Sequence, residues 1–128
     1  MKRKLNTIQT ENNLNTVYAV DEKGPGNANH HYVIECCNRP ADTQVKADMV
    51  GGHIIFQEGP RNEHLSTTGV LDVDLLEIVR DRLIGFQEGS FACRENAIAL
   101  THIEDALLWL NKRVQDRANR GVLGTNKE

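Results

Sequence analysis

The stretch ACRENAIALTHIEDALLWLNKRVQDRANRG, Ala92 to Gly121, decides the architecture. Ala97, Leu100, Ile103, Leu107, Leu110 and Val114 recur at three- and four-residue steps, the period of one helical face. The run stops at a glycine with arginines in its last turn, as helix C-termini prefer. Ser90 reads as the N-cap. A helix over 92–120 is about 43 Å long, whereas a compact globule of this chain length is only about 36 Å across. Ile98, Ala99, Ala106, Leu108 and Trp109 lie off the stripe, so the helix is apolar on more than one side. Such a helix is buried on several sides, and self-association is the economical way to cover it.

Upstream, Leu75, Leu76, Val79, Leu83 and Phe86 keep the same period over 72–86, with Asp72 and Asp74 suited to the helix N-terminal dipole. QEGS, residues 87–90, separates the two helices, so they form a hairpin. The first half reads differently. GPGNAN at 24–29, NRPAD at 38–42, VGGH at 50–53 and EGPRNE at 58–63 break it into short pieces. Between them, Thr16–Val20, His31–Cys36 and His53–Gln57 read as strands, with Gln44–Ala47 a weaker one. No helix-length crossover separates them, so they pair antiparallel. The expectation is an α+β chain of one domain over 1–128. It comprises a frayed lead-in over about 1–15, a small antiparallel sheet over 16–62, a helical hairpin over 70–121 and a tail over 122–128.

The 39% apolar content and negative mean hydropathy point to a soluble chain. No apolar run approaches the ~20 residues of a membrane span. MKRKLNTIQTENNLNT starts basic without an apolar stretch behind it, unlike a secretory signal. Cys36, Cys37 and Cys93 are odd in number and two are adjacent, which fits reduced thiols. The formal charge is −3, yet residues 111–120 carry a local +3 from Lys112, Arg113, Arg117 and Arg120 against Asp116. A protein that coats DNA is basic over a wide face. A small, localised anion suits this pattern better.

Arg113, Arg117 and Arg120 fall within about 60° of one another around the helix. Two readings of them stand: dipole stabilisation and solvation of a helix end, or guanidinium forks for a pyrophosphate or phosphodiester. Asn96 is either a polar residue near a helix start or an amide that reads an adenine edge or a ribose hydroxyl. Phe86 either closes the hairpin core or stacks on a base. His30 and His31 are neighbours that a strand would aim at opposite faces. With Cys36 and Cys37 they match none of the usual zinc spacings, so no metal site and no cofactor is expected. Asn96 and Arg113 are 17 residues apart, about 26 Å along one helix. No nucleotide-sized ligand touches both in one chain. Two copies packed antiparallel about a two-fold axis near Glu104–Ala106 bring Asn96 and Phe86 of one level with Arg113 and Arg117 of the other.

IIFQEGPRNE and LLEIVRDRLIGFQEGSFACRENAIALTHIEDALLWLNKRVQDRANRGVLGT strongly resemble phage proteins that defeat the bacterial Thoeris defence, as does GNANHHY in the first half. The hairpin is also similar to that of the phage sponge that counters CBASS signalling. The resemblance implies a non-enzymatic sponge. It binds, without cleaving, a cyclic ADP-ribose messenger (the 1″–2′ or 1″–3′ isomer) made from NAD by TIR-domain Thoeris enzymes in the infected host's cytoplasm. By the same resemblance Phe86, Asn96, Arg113 and Arg117 match the family's ligand contacts. The pocket is shared by two protomers, dimers assemble into hexamers in some members, and some members also take CBASS cyclic oligonucleotides. Membrane and DNA are not among the expected partners. Two other classes stand beside this one: an enzyme that degrades a cyclic nucleotide, with His102 or Glu104 as acid–base groups, and a phage structural or interaction module whose hairpin only oligomerises.

Overall fold

The computed structural model describes residues 2–37, 42 and 52–123. The chain packs as two compact units, Met1–Gly59 with His64–Gly69, and Pro60–Glu63 with Val70–Glu128. The first unit holds a four-stranded antiparallel sheet in the order β1 (Arg3–Lys4), β2 (Asn15–Ala19), β3 (His31–Cys36), β4 (His53–Ile55). The second is a hairpin of α1 (Asp72–Gln87) and α2 (Arg94–Asn119). The α+β reading holds: a small antiparallel sheet precedes a helical hairpin with one long helix.

The central strands follow the sequence pattern. β2 and β3 pair from Asn15↔Cys36 to Ala19↔Tyr32, a register that puts the buried Ala19 and Val33 on opposite faces of the sheet. β4 ends earlier than the expected Gln57. Beyond it the Phe56 N–H donates to the His30 carbonyl, and Glu58 pairs with Thr67 instead. Gly69 permits this crossing, because a Cβ there would strike the backbone of Ile55–Gln57. The weak strand expected at Gln44–Ala47 lies outside the described residues.

The basic N-terminus, expected as a frayed lead-in, is tied down. Arg3 and Lys4 pair with Ala19 and Tyr18, and the Leu5 N–H donates to the Val17 carbonyl at 3.0 Å. The anchor is Asn29, the buried polar residue of the GNANHHY motif. Its carbonyl oxygen accepts from the Arg3 guanidinium at 2.7 Å, and its amide donates to the Asp21 carbonyl at 2.7 Å. A two-residue strand has no periodicity to read, which is why the sequence hid it.

In the hairpin, α1 begins as expected. The Asp74 carboxylate reaches back to accept from the Leu71 N–H at 2.8 Å. The start of α2 differs: Cys93, not Ser90, is the N-cap, and its sulfur accepts from the Asn96 N–H. The cause is Gln87, whose side-chain amide donates to the Cys93 carbonyl at 3.1 Å and accepts from the Cys93 N–H at 3.0 Å. This pair of hydrogen bonds holds Cys93 extended just before Arg94 and leaves Ser90 in the turn. From there α2 runs unbroken for 26 residues, about 39 Å. The two helices pack on each other, and Arg80 of α1 meets Glu104 of α2 at 2.8 Å.

One prediction concerns the Asn29 corner. Partial burial raises the Asp21 carboxyl, but hydrogen bonds from the His30 and His31 N–H groups and the Asn29 amide outweigh it, so its pKa lies below the ordinary value. A carboxylate depressed in the folded state stabilises the fold above its unfolded pKa of about 4, and that contribution fades as pH falls through the folded value. Asp21→Asn should therefore unfold at lower urea than the unaltered chain at pH 6, with the gap closing below about pH 4. A gap that stays constant with pH would assign the loss to packing rather than charge.

Candidate functional site

Two groups of candidate side chains sit at opposite ends of α2. The first is at the hairpin elbow. Phe86, in the last turn of α1, is half-buried and meets the exposed Phe91 edge-on, with ring centroids 6.4 Å apart. The Arg82 guanidinium lies 5.3 Å from the Phe86 ring centroid. Asn96, in the first turn of α2, donates weakly from its side-chain amide to the Phe91 carbonyl at 3.5 Å. Phe86 and Asn96 therefore share one small surface, held by the Gln87–Cys93 clamp.

The second group is at the C-terminal end of α2. Here Trp109, Lys112, Arg113, Asp116, Arg117 and Arg120 line an open depression of ≈ 450 Å³. Asp116 pairs with Lys112 at 3.1 Å, an i,i+4 bridge. Among the described residues Arg113 makes no hydrogen bond or ion pair. Arg117 donates to the Val122 carbonyl at 3.0 Å. That contact depends on how the helix stops. Gly121 adopts a positive φ of 73°, the Gly121 N–H donates to the Ala118 carbonyl, and the Val122 N–H donates to the Arg117 carbonyl. This paired closure satisfies two terminal carbonyls and brings Val122 against Arg117.

The structure thus brings Phe86 together with Asn96, and Arg113 together with Arg117, and keeps the two pairs apart. The estimate of about 26 Å between Asn96 and Arg113 stands, because α2 has no break at Thr101–His102. Trp109 was read from the sequence only as apolar surface in search of cover. Its place one turn before Arg113 was the signal for its position in the depression wall. Phe91 and Arg82 were not singled out, although Arg82 and Phe86 stand at i,i+4. Of the alternative acid–base groups, Glu104 is held by Arg80. His102 is exposed and bonds to no described side chain.

A family model described as the Acb2/Tad1 hairpin domain matches residues 50–115. The chain is also 39% identical over 117 residues to Thoeris anti-defense 1 of Bacillus phage SBSphiJ7, covering 80% of this chain and 82% of that protein. The chain belongs to the Acb2/Tad1 hairpin family. Phe86, Asn96 and Arg113 fall inside the matched segment, and Arg117 just beyond it. The elbow and the long helix that carry both groups are thus the family's own element. Cys36, Cys37 and Cys93 are free thiols. His31 hydrogen-bonds His53 at 2.7 Å, away from Cys36 and Cys37 in the sheet register.

The helix stop supplies a prediction. Gly121→Ala forces an L-residue into the left-handed region, at a cost of about 1–2 kcal/mol. Amide hydrogen exchange should lose protection at 121 and 122, while the elbow amides near Asn96 stay unchanged. Retained protection at both positions would show that the closure does not need the glycine.

Proposed function

We propose that this chain binds and sequesters a small cyclic nucleotide messenger of the cyclic ADP-ribose type, and leaves it chemically intact, so that a Thoeris effector in the infected cell's cytoplasm is not triggered. Membership of the Acb2/Tad1 hairpin family and the name of its phage relative support an anti-defence role. The observation that carries the ligand class is Arg113, without an ion-pair partner among the described residues, beside Arg117 in one depression, since guanidinium forks match pyrophosphate oxygens in charge and shape. Phe86 supplies a ring for the adenine and Asn96 an amide for its edge. Sequestration requires affinity and slow release rather than an acid–base pair.

The site is shared between two copies. No residue of α1 or α2 is buried, and Ile98, Leu108 and Trp109 leave 40%, 67% and 71% of their surfaces exposed. An antiparallel dimer covers this face. The Arg80–Glu104 contact fixes the hairpin register and puts Phe86 level with Ile98. With the two-fold axis at Asp105, the second copy's Arg113 is level with Ala97. Phe86, Asn96 and that arginine then lie within about 3 Å along the axis. Two equal sites result. Assembly of dimers into hexamers and binding of CBASS oligonucleotides are further family traits proposed for this chain.

Arg113→Ala and Arg117→Ala should each weaken binding of 1″–2′ cyclic ADP-ribose by roughly 10- to 150-fold, the loss of one charge-assisted bond, with unchanged circular dichroism. Unchanged affinity in both would remove the pyrophosphate assignment. Messenger recovered intact after denaturing the complex supports sequestration, and a converted product would establish the enzyme reading instead.

A sharper prediction concerns the shared pocket. Asn96→Ala and Arg113→Ala homodimers each carry one lesion in both sites. A mixed dimer has one doubly damaged site and one intact site. After subunit exchange the mixture should regain tight binding at one site per mixed dimer. Proven exchange without recovery would place the whole pocket in a single copy.

A further inference from the structure

Trp109 is the only tryptophan in the chain, and 71% of it is exposed. A large indole in that position has no structural explanation within the hairpin. It lies in the wall of the arginine depression. Trp109, Arg113 and Arg117 follow one another at four-residue steps, so they form a single row that turns only about 40° per step. Adjacent members are about 6 Å apart along the axis. An aromatic platform followed by two guanidiniums at that pitch matches a molecule in which a base is joined through a sugar to two phosphates. A bare polyphosphate has nothing to place on the indole.

We infer that Trp109 contacts the ligand: its indole stacks on the base and closes the pocket opposite the second copy's Phe86. This rests on the proposed two-copy messenger site. In that arrangement the second copy's Phe86 is level with Lys112, three residues from Trp109, or about 4.5 Å along the axis. Stacked aromatic rings sit about 3.5–4 Å apart at carbon contact distance. Two rings with that axial offset and some lateral separation can therefore hold a third between them. The base is gripped from both sides by different copies, and its phosphates run along the same row to Arg113 and Arg117. The ligand class that follows is a purine nucleotide with a pyrophosphate close to its base.

Because Trp109 is the sole tryptophan, the protein carries its own reporter. Saturating 1″–2′ cyclic ADP-ribose should quench or shift its fluorescence. Trp109→Leu should weaken that ligand roughly 5- to 150-fold, the range for loss of one base-stacking contact. Trp109→Phe, which keeps a ring, should restore most of the affinity. Sedimentation must show the same oligomer in all three proteins. The inference is overturned if Trp109→Leu binds as tightly as the unaltered chain. It is equally overturned if Trp109→Leu loses affinity only in step with dissociation of the oligomer, since the indole then serves the copy-to-copy contact alone. Arg113→Ala, measured beside it, separates the two levels. A loss there with none in Trp109→Leu sinks this inference and leaves the messenger site standing. No loss in either, or no binding by the unaltered chain, removes both.

Discussion

A helix packed against one neighbour buries one stripe of its surface, and α2 carries more apolar surface than one stripe holds. α1 has 16 residues against 26 in α2, so it leaves about ten residues of α2 without a partner in the hairpin. The Arg80–Glu104 contact sets where the shortfall falls. Counting along both helices from that pair puts the start of α1 level with Lys112. The arginine-bearing turns beyond it therefore project past α1. In that register α1 does not reach alongside them.

Charge placement at that end follows from short-range pairing. A single acid stands among four cations, and its nearest i,i+4 partner in the N-terminal direction is Lys112. That bridge leaves Arg113 without an ion-pair partner among the described residues, while the glycine closure ties Arg117 to the Val122 carbonyl. An exposed guanidinium retains its hydration and costs the fold little, so a binding residue can be kept there without destabilising the hairpin. The elbow solves a different problem. Its aromatic and amide groups need fixed directions, and the Gln87–Cys93 clamp supplies them through two bonds to one backbone residue.

The long-period features were legible in the sequence, and the short-range ones were not. The β-branched and aromatic alternation of His31–Cys36 and the spacing of Leu75, Leu83 and Phe86 describe elements that the structure contains. Arg3–Lys4 escaped notice because its pairing depends on Asn29, 26 residues away, rather than on any local pattern. Ser90 reads as the cap by residue type alone, but Gln87 decides where the helix starts. Phe86, Asn96, Arg113 and Arg117 stand as candidates by residue type, with two readings each, and the family resemblance is what groups them. For Trp109 in the arginines' depression the only signal is its place one turn before Arg113, since an exposed indole and a buried one look alike in a sequence.

The division of labour between the two ends of α2 also bears on why one helix is so long. A ligand that must be held from two directions needs its contacts on separate bodies, so that each can approach a different face. Placing the ring and amide at one end and the cations at the other means that neither group is complete within a copy. In the proposed dimer, an antiparallel pairing completes two sites with a single interface. The length of α2 sets the spacing between those sites, and the apolar face between its two ends sets the register. On the proposed function, the surface that the hairpin cannot bury by itself is the same surface that aligns the two halves of the pocket.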